Sequence, residues 1–308
     1  VLIPLGNSAR LELPGGGTLQ VTLPQRAEVS SLVATEGGWV AAGSFPDAAG
    51  RQRLFLLTGD EKSFRSLPEP PAQKGLQRRG PVLLVDGGRL AGLAWLEGDG
   101  GRTLAVHAAA WNGRKWQAPE TVSHRGPGSQ LALTGAVLAD GSWLLAWSAF
   151  DGTADEIVWS QRTGERWLPV VRLSAPNSVP DITPALTATA GGGALIAWSR
   201  FDGRGYQLRM ARFEHGVWLD EHVAGPSGSL YPAFLETSGH PRLLYLESAA
   251  RSWSVVDLDA EGKVLAKASV TSPSRSLSRP VVDSLAGNVR LRWPAEKQQG
   301  TAILERVP

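Results

Sequence analysis

Apolar and polar positions between Thr183 and Val223 fall into four strand-length runs, TPALTATA, ALIAWSRF, YQLRMARF and VWLDEHV, separated by GGG, DGRG and EHG. Short runs bounded by glycine-rich turn chemistry predict four consecutive strands of one antiparallel sheet. The second run is apolar on both faces, as a strand covered above and below must be. Its tryptophan, Trp198, has counterparts at Gly43, Trp95, Trp147, Leu246 and Trp293, recurring every 47 to 52 residues.

Two further positions keep the same step. A proline opens the innermost strand at Pro81, Pro184, Pro232 and Pro280, and an aromatic opens the outermost strand at Phe64, Trp116, Trp167 and Trp218. A self-similar unit of this length, made of four short strands, predicts an all-β fold, a six-bladed β-propeller of four-stranded antiparallel blades. The blades are expected at 29–67, 81–123, 131–174, 183–223, 230–270 and 279–307, within a single domain spanning 1–308. The sixth blade lacks an outer strand before the chain ends. The alternating stretch 18–24 is expected to supply it by pairing with 301–307, which would close the ring and leave no bare edge.

Composition narrows the function classes. The 36 Gly and 21 Pro fit a turn-rich β fold, and the absence of cysteine excludes disulfides and thiolate metal sites. A net charge of +2 gives no general attraction to nucleic acid, and no run reaches the roughly 20 apolar residues of a transmembrane helix. The start at Val1 fits a mature exported protein and equally a trimmed sequence; an extracytoplasmic bacterial address, periplasmic or secreted, is expected. The 12 tryptophans are read chiefly as wedges between blades. The five histidines show no metal-ligand spacing, so no metal and no cofactor is expected.

The stretch TPALTATAGGGALIAWSRFDGRGYQLRMARFEHGVW resembles the repeats of the sialidase-like, or BNR-repeat, β-propellers. In those a proline-containing first strand, a second strand ending in tryptophan, a D-G turn and a G-x-x-W turn follow in that order. The likeness runs from about residue 29 to the C-terminus. The family's Asp-box survives as TGERW, NGRKW and HGVW without its aspartate. Six-bladed TolB-like propellers, which share W-S-x-x-D-G, are a competing relative. The resemblance implies arginines for a substrate carboxylate and a Tyr-Glu nucleophile pair. No R-I-P motif occurs, and none of Tyr206, Tyr231 and Tyr245 matches the nucleophile, so no catalytic residue is carried over.

In a propeller the ligand face is built by the loops entering the innermost strands and those joining strands two and three. Arg79, Arg125, Arg275 and Arg279 stand in the first set and suit a carboxylate, sulfate or phosphate; Asp181 and Tyr231 complete the candidate ligand set. Asp99, Asp151 and Asp202 precede glycine in tight connections and read as turn formers. The expected function is non-enzymatic binding of a protein partner or a glycan at the channel mouth. The alternatives are a sialidase-like glycoside hydrolase acting on an acidic sugar and an architectural subunit of an assembly.

Overall fold

The computed structural model describes residues 2–4, 8–12, 17–73, 75–100, 103–124, 130–174, 177–235, 240–272, 279–285, 288–293, 298–302 and 305–306. The chain forms an all-β propeller of antiparallel four-stranded blades. An N-terminal three-stranded sheet comes first, made of β1 (Leu2–Pro4), β2 (Ser8–Glu12) and β3 (Thr18–Thr22). Five four-stranded sheets follow in meander order. The first is β4 (Glu28–Thr35), β5 (Gly38–Pro46), β6 (Gln52–Gly59) and β7 (Phe64–Leu67); the second is β8 (Gln77–Asp86), β9 (Arg89–Gly98), β10 (Ala105–Ala110) and β11 (Glu120–Ser123). The third is β12 (Gln130–Val137), β13 (Trp143–Phe150), β14 (Asp155–Thr163) and β15 (Arg166–Trp167), with β16 (Val171–Arg172) also paired to β14. The fourth is β17 (Asp181–Ala188), β18 (Ala194–Phe201), β19 (Tyr206–Glu214) and β20 (Val217–Val223); the fifth is β21 (Ser229–Leu235), β22 (Arg242–Glu247), β23 (Ser252–Leu258) and β24 (Val264–Thr271). A second three-stranded sheet ends the chain, with β25 (Val281–Leu285), β26 (Asn288–Trp293) and β27 (Gln298–Ala302), and β28 (Glu305–Arg306) returns to the edge of β24.

Five complete blades stand where six are expected, and the expected closure is replaced by other pairings among the described residues. Thr18–Thr22 pairs with Ser8–Glu12. Gln298–Ala302 pairs with β26, while Glu305–Arg306 leaves that sheet for β24. A nearby hairpin partner closes a loop of a few residues, whereas the chain's two ends are separated by almost its whole length, and loop-closure entropy favours the local choice.

Two compact units divide the chain through the third four-stranded sheet. Unit 1 comprises Val1–Val137, Gly141–Thr153 and Trp159–Val171, and unit 2 comprises Leu138–Asp140, Ala154–Val158 and Arg172–Pro308. In unit 1 the N-terminal sheet packs Ala9, Leu11 and Val21 on Trp39, Ala41 and Leu57, and the first two blades meet through Leu54, Leu56, Leu83, Leu93 and Trp95. In unit 2, Leu195, Leu208 and Met210 meet Leu243, Tyr245 and Val256, while Trp253 and Val255 meet Val289, Leu291 and Trp293. Trp95, Trp147, Trp198 and Trp253 are all fully buried. Each removes on the order of 150 to 250 Å² from water; Trp95, Trp147 and Trp198 hold the wedge position, and in the fifth sheet Trp253 on the third strand lies across from Leu246, which takes that place.

The innermost strands share a local device. Register slips between Arg79 and Val82, Leu131 and Thr134, Ile182 and Ala185, and Leu230 and Ala233 mark a β-bulge in each. In each, two residues face one on the partner strand, and the first of the two is left-handed: Gly80 at φ 58°, Ala132 at 51°, Thr183 at 53° and Tyr231 at 55°. The repeat's prolines, expected to open these strands, instead occupy the second of the two at Pro81, Pro184 and Pro232, where the ladder asks for no N–H. The serine after the wedge tryptophan locks one such bulge: the Ser199 hydroxyl accepts from Tyr231 N at 3.0 Å and shares a hydrogen bond with Thr183 Oγ1 at 2.9 Å.

Candidate functional site

Two residues before each left-handed position, the strand buries a polar side chain: Arg78, Gln130, Asp181 and Ser229. Gln130 donates to the carbonyls of Leu104 at 3.0 Å and His124 at 2.8 Å. These residues tie the incoming loop to the sheet. Alternation along β8 then puts Arg78 inside and its neighbour Arg79 outside, exposed to solvent. Arg78 donates to Pro70 O at 2.9 Å and pairs with Glu69. Burial lowers its pKa, and Glu69 and Glu97 oppose that in part.

Asp181 anchors a dense polar cluster in unit 2. Its Oδ1 accepts from Trp198 Nε1 at 2.8 Å and Arg200 Nε at 2.7 Å, and its Oδ2 from Arg200 Nη2 at 2.9 Å, Asn177 Nδ2 at 3.0 Å and Ser174 Oγ at 3.3 Å. The bidentate fork is the geometry in which guanidinium and carboxylate match best. Arg200 also donates to Glu221 at 2.9 Å, and Glu221 accepts from Arg209 at 2.7 Å. Burial would lower the Arg200 pKa, yet pairing with Asp181 and Glu221 leaves it above its ordinary value. A second buried carboxylate, Glu156, lies 3.5 Å from Ser174 Oγ, Asn177 Nδ2 and Arg172 Nη2 alike. Two carboxylates sharing a Ser and an Asn are thus each faced by an arginine. Asp181, expected to meet a ligand, is instead fully buried beneath these donors.

A further cluster crosses β22, β23 and β24, where Tyr245, Ser254 and Ser269 share one row. Ser254 Oγ donates to Glu247 Oε1 at 2.5 Å and Lys267 Nζ to the same oxygen at 2.9 Å. Burial pushes Glu247 up, but the Ser254 hydroxyl and Lys267 more than reverse this, so its pKa falls below the usual carboxylate value. Burial likewise opposes the Lys267 charge, and Glu247 overturns it, leaving the lysine pKa raised. Burial raises the Tyr245 pKa, and the ring is too enclosed to meet a ligand. A depressed acid contributes stability above its unfolded pKa, and raised groups contribute below theirs. The stability supplied by this cluster is therefore present from about pH 5 to about pH 10, lost on the acid side as Glu247 protonates and on the alkaline side as Tyr245 and Lys267 deprotonate. Glu247→Gln is expected to flatten the acid limb of a urea-midpoint profile against pH, and an unchanged limb would contradict the assignment.

The remaining expected ligand residues differ in placement. Tyr231 sits on the bulge of β21 with 46% of its surface exposed. Arg279, immediately before Pro280, holds the corresponding position ahead of β25 and is exposed. Surrounding protein nevertheless lowers its pKa through desolvation, with no opposing carboxylate among the described residues. Arg79 belongs to unit 1 and Tyr231 and Arg279 to unit 2, while Arg125 and Arg275 lie outside the described residues. Exposed apolar side chains occur at the same strand ends in unit 1, at Leu131 and Phe150. No group of three or more His, Cys, Asp or Glu able to hold a metal occurs among the described residues. Nor does any helix there have the length and apolarity to cross a membrane. Sequence reasoning missed the Glu247–Lys267 cluster, whose members come together only through cross-strand register. The buried polar row does carry a signal, a polar residue three positions before the proline at Arg78, Asp181 and Ser229.

No family model and no curated protein sequence matches the chain. Solved structures do. The GH93 α-L-arabinofuranosidase of Fusarium graminearum, in complex with arabinobiose, superposes with a TM-score of 0.58 at 10% identity, covering 92% of this chain and 95% of that one. The polysaccharide lyase Uly1 gives 0.60 at 10% identity over 99% and 89%, and TolB from Acinetobacter baumannii gives 0.53 at 16% over 86% and 60%. At these identities the likeness is one of fold, and the chain shares the β-propeller architecture of carbohydrate-active enzymes and of TolB.

Proposed function

We propose that this protein is a non-enzymatic propeller that binds an anionic glycan at the starts of the innermost strands of unit 2, with Tyr231 as a stacking surface and Arg279 as the anion ligand. The observation that carries the reading is Arg279: an exposed residue whose guanidinium is desolvated by the surrounding protein and is paired with no carboxylate among the described residues. Arg172, Arg200, Arg209, Arg212 and Arg242 all have acidic partners, so the contrast is local. A glycan carboxylate or sulfate would supply the missing charge, and the exposed Tyr231 ring offers the flat apolar face that sugars stack on. The fold likeness to an arabinofuranosidase and a polysaccharide lyase supports a glycan over a protein partner. Binding without turnover is favoured because Asp181, Glu156 and Glu247 are engaged by arginine, lysine and hydroxyl donors. Arg79, in unit 1, is a separate proposed anion contact, Arg125 and Arg275 lie outside the described residues, and an extracytoplasmic address, where acidic polysaccharides are met, belongs to the same reading.

Affinity electrophoresis in polygalacturonate, with neutral arabinan as control, tests this. The wild type is expected to be retarded by the acidic polymer alone, with Arg279→Ala and Tyr231→Ala each losing about tenfold in affinity. Equal retardation by both polymers, or variants indistinguishable from wild type, would refute it. Release of reducing ends or unsaturated sugars would move the protein to the enzymatic alternative.

A further inference from the structure

We propose that the cleft beside Trp167 in unit 1 is a docking groove for an extended, proline-containing peptide. The chain carries its own template for the occupant. In the second blade, Trp116 Nε1 donates to the carbonyl of Pro68 at 2.6 Å, and Leu67 belongs to the same apolar cluster as Trp116. The segment that satisfies this indole therefore reads SLPEPPA, residues 66–72.

Trp167 occupies the same place one blade later. Trp116 bridges to Trp111 and is followed by Gln117 N donating to Ala110 O; Trp167 pairs with Arg162 and is followed by Leu168 N donating to Gln161 O. Here the two blades diverge. Among the described residues the Trp167 N–H is buried without an acceptor, and a cleft of about 500 Å³ opens beside it, lined by Val122, His124, Trp167, Leu168, Pro169 and Val170. A buried donor with no partner calls for an explanation, and the neighbouring blade supplies one.

The surroundings suit the same kind of chain. Leu168 and Val170 leave 45% and 41% of their surface in water, forming an apolar strip along the cleft. The Trp167 ring is steadied edge-on by Trp143 at 6.3 Å, which itself lies under the Arg162 guanidinium at 4.9 Å. Polyproline segments dock in aromatic-lined grooves because their conformation is largely set before binding and their carbonyls remain free to accept. The indole nitrogen is covered, so docking has to shift the exposed strip 168–170 to bring a peptide carbonyl to it.

The test titrates the full chain, ¹⁵N-labelled at tryptophan, with the synthetic peptide SLPEPPA. The indole signal absent from Trp167→Phe is expected to move downfield and saturate as its N–H gains an acceptor. Trp167→Phe should weaken binding about fivefold or more, while Trp116→Phe leaves it unchanged. Val170→Asp, a change at an exposed position, should weaken it too while the near-UV spectrum stays that of the wild type. The proposal fails if the signal does not move at millimolar peptide, or if both Trp167→Phe and Val170→Asp bind as the wild type does. It also fails if a scrambled, proline-free peptide or a neutral oligosaccharide moves that signal equally well. None of these outcomes depends on the glycan reading, which concerns unit 2.

Discussion

Replacing Asp181 with alanine is expected to destabilise the protein by about 3–5 kcal/mol, the usual loss when one partner of a buried ion pair is removed. The magnitude follows from what the carboxylate holds. Its two oxygens accept from Trp198, from both arms of Arg200, from Asn177 and from Ser174, and the residue is fully buried. Alanine would leave the indole N–H at the centre of the blade without an acceptor and Arg200 with Glu221 alone. Asp181→Asn should lose less, since its remaining carbonyl can still accept from Trp198. The double variant Asp181→Ala, Arg200→Met should recover part of the loss, because it removes the unpaired cation as well. Urea unfolding at constant slope would measure all three. A loss below about 1 kcal/mol in the single alanine variant would mean that the cluster adds little to the fold.

Gly43→Trp is the second large expectation, and it runs against repeat logic. Gly43 stands where Trp95, Trp147 and Trp198 stand in other blades, so a consensus repair would install tryptophan there. The structure leaves no room for it. A Cβ at this position would lie 2.2 Å from the Glu28 carbonyl oxygen and 2.5 Å from the Phe55 ring. The ring could rotate away, but the carbonyl belongs to the backbone of β4 and cannot. Overpacking typically destabilises by about 1–3 kcal/mol for added methylenes. An indole against backbone should exceed that, with loss of soluble protein or a fall of many degrees in the melting temperature. Gly43→Ala should show the same defect more mildly. Wild-type stability in Gly43→Trp would require β4 to move.

The blade repeat was legible because a strand buried on both faces must be apolar throughout, and LLAWSAF and ALIAWSRF declare that directly. The ends of the chain were not. The alternation of TLQVT suits any available edge, and whether a strand takes a local hairpin partner or a distant one is decided by competition that the stretch itself does not encode. The bulges were hidden for a related reason. Pro184 and Pro232 mark the place, but the extra residue changes the phase of the strand, so counting by twos across it assigns side chains to the wrong face. Asp181 illustrates the consequence: its position near a loop suggested an exposed ligand group, whereas the register turns it inward beneath Arg200. Tyr231, within the same kind of slip, emerges into solvent.

That slip has a meaning for how such a protein could change. The left-handed residue is glycine, alanine, threonine or tyrosine in successive blades, while the main-chain angle stays between 51° and 58°. At Tyr231 the angle is held by Ser199, from the preceding sheet, bonding to main-chain nitrogen, so the hold is indifferent to what grows from the α-carbon. The row therefore behaves like a set of sockets into which different reading heads can be plugged, and a lineage could revise its partner one socket at a time while the framework stays the same.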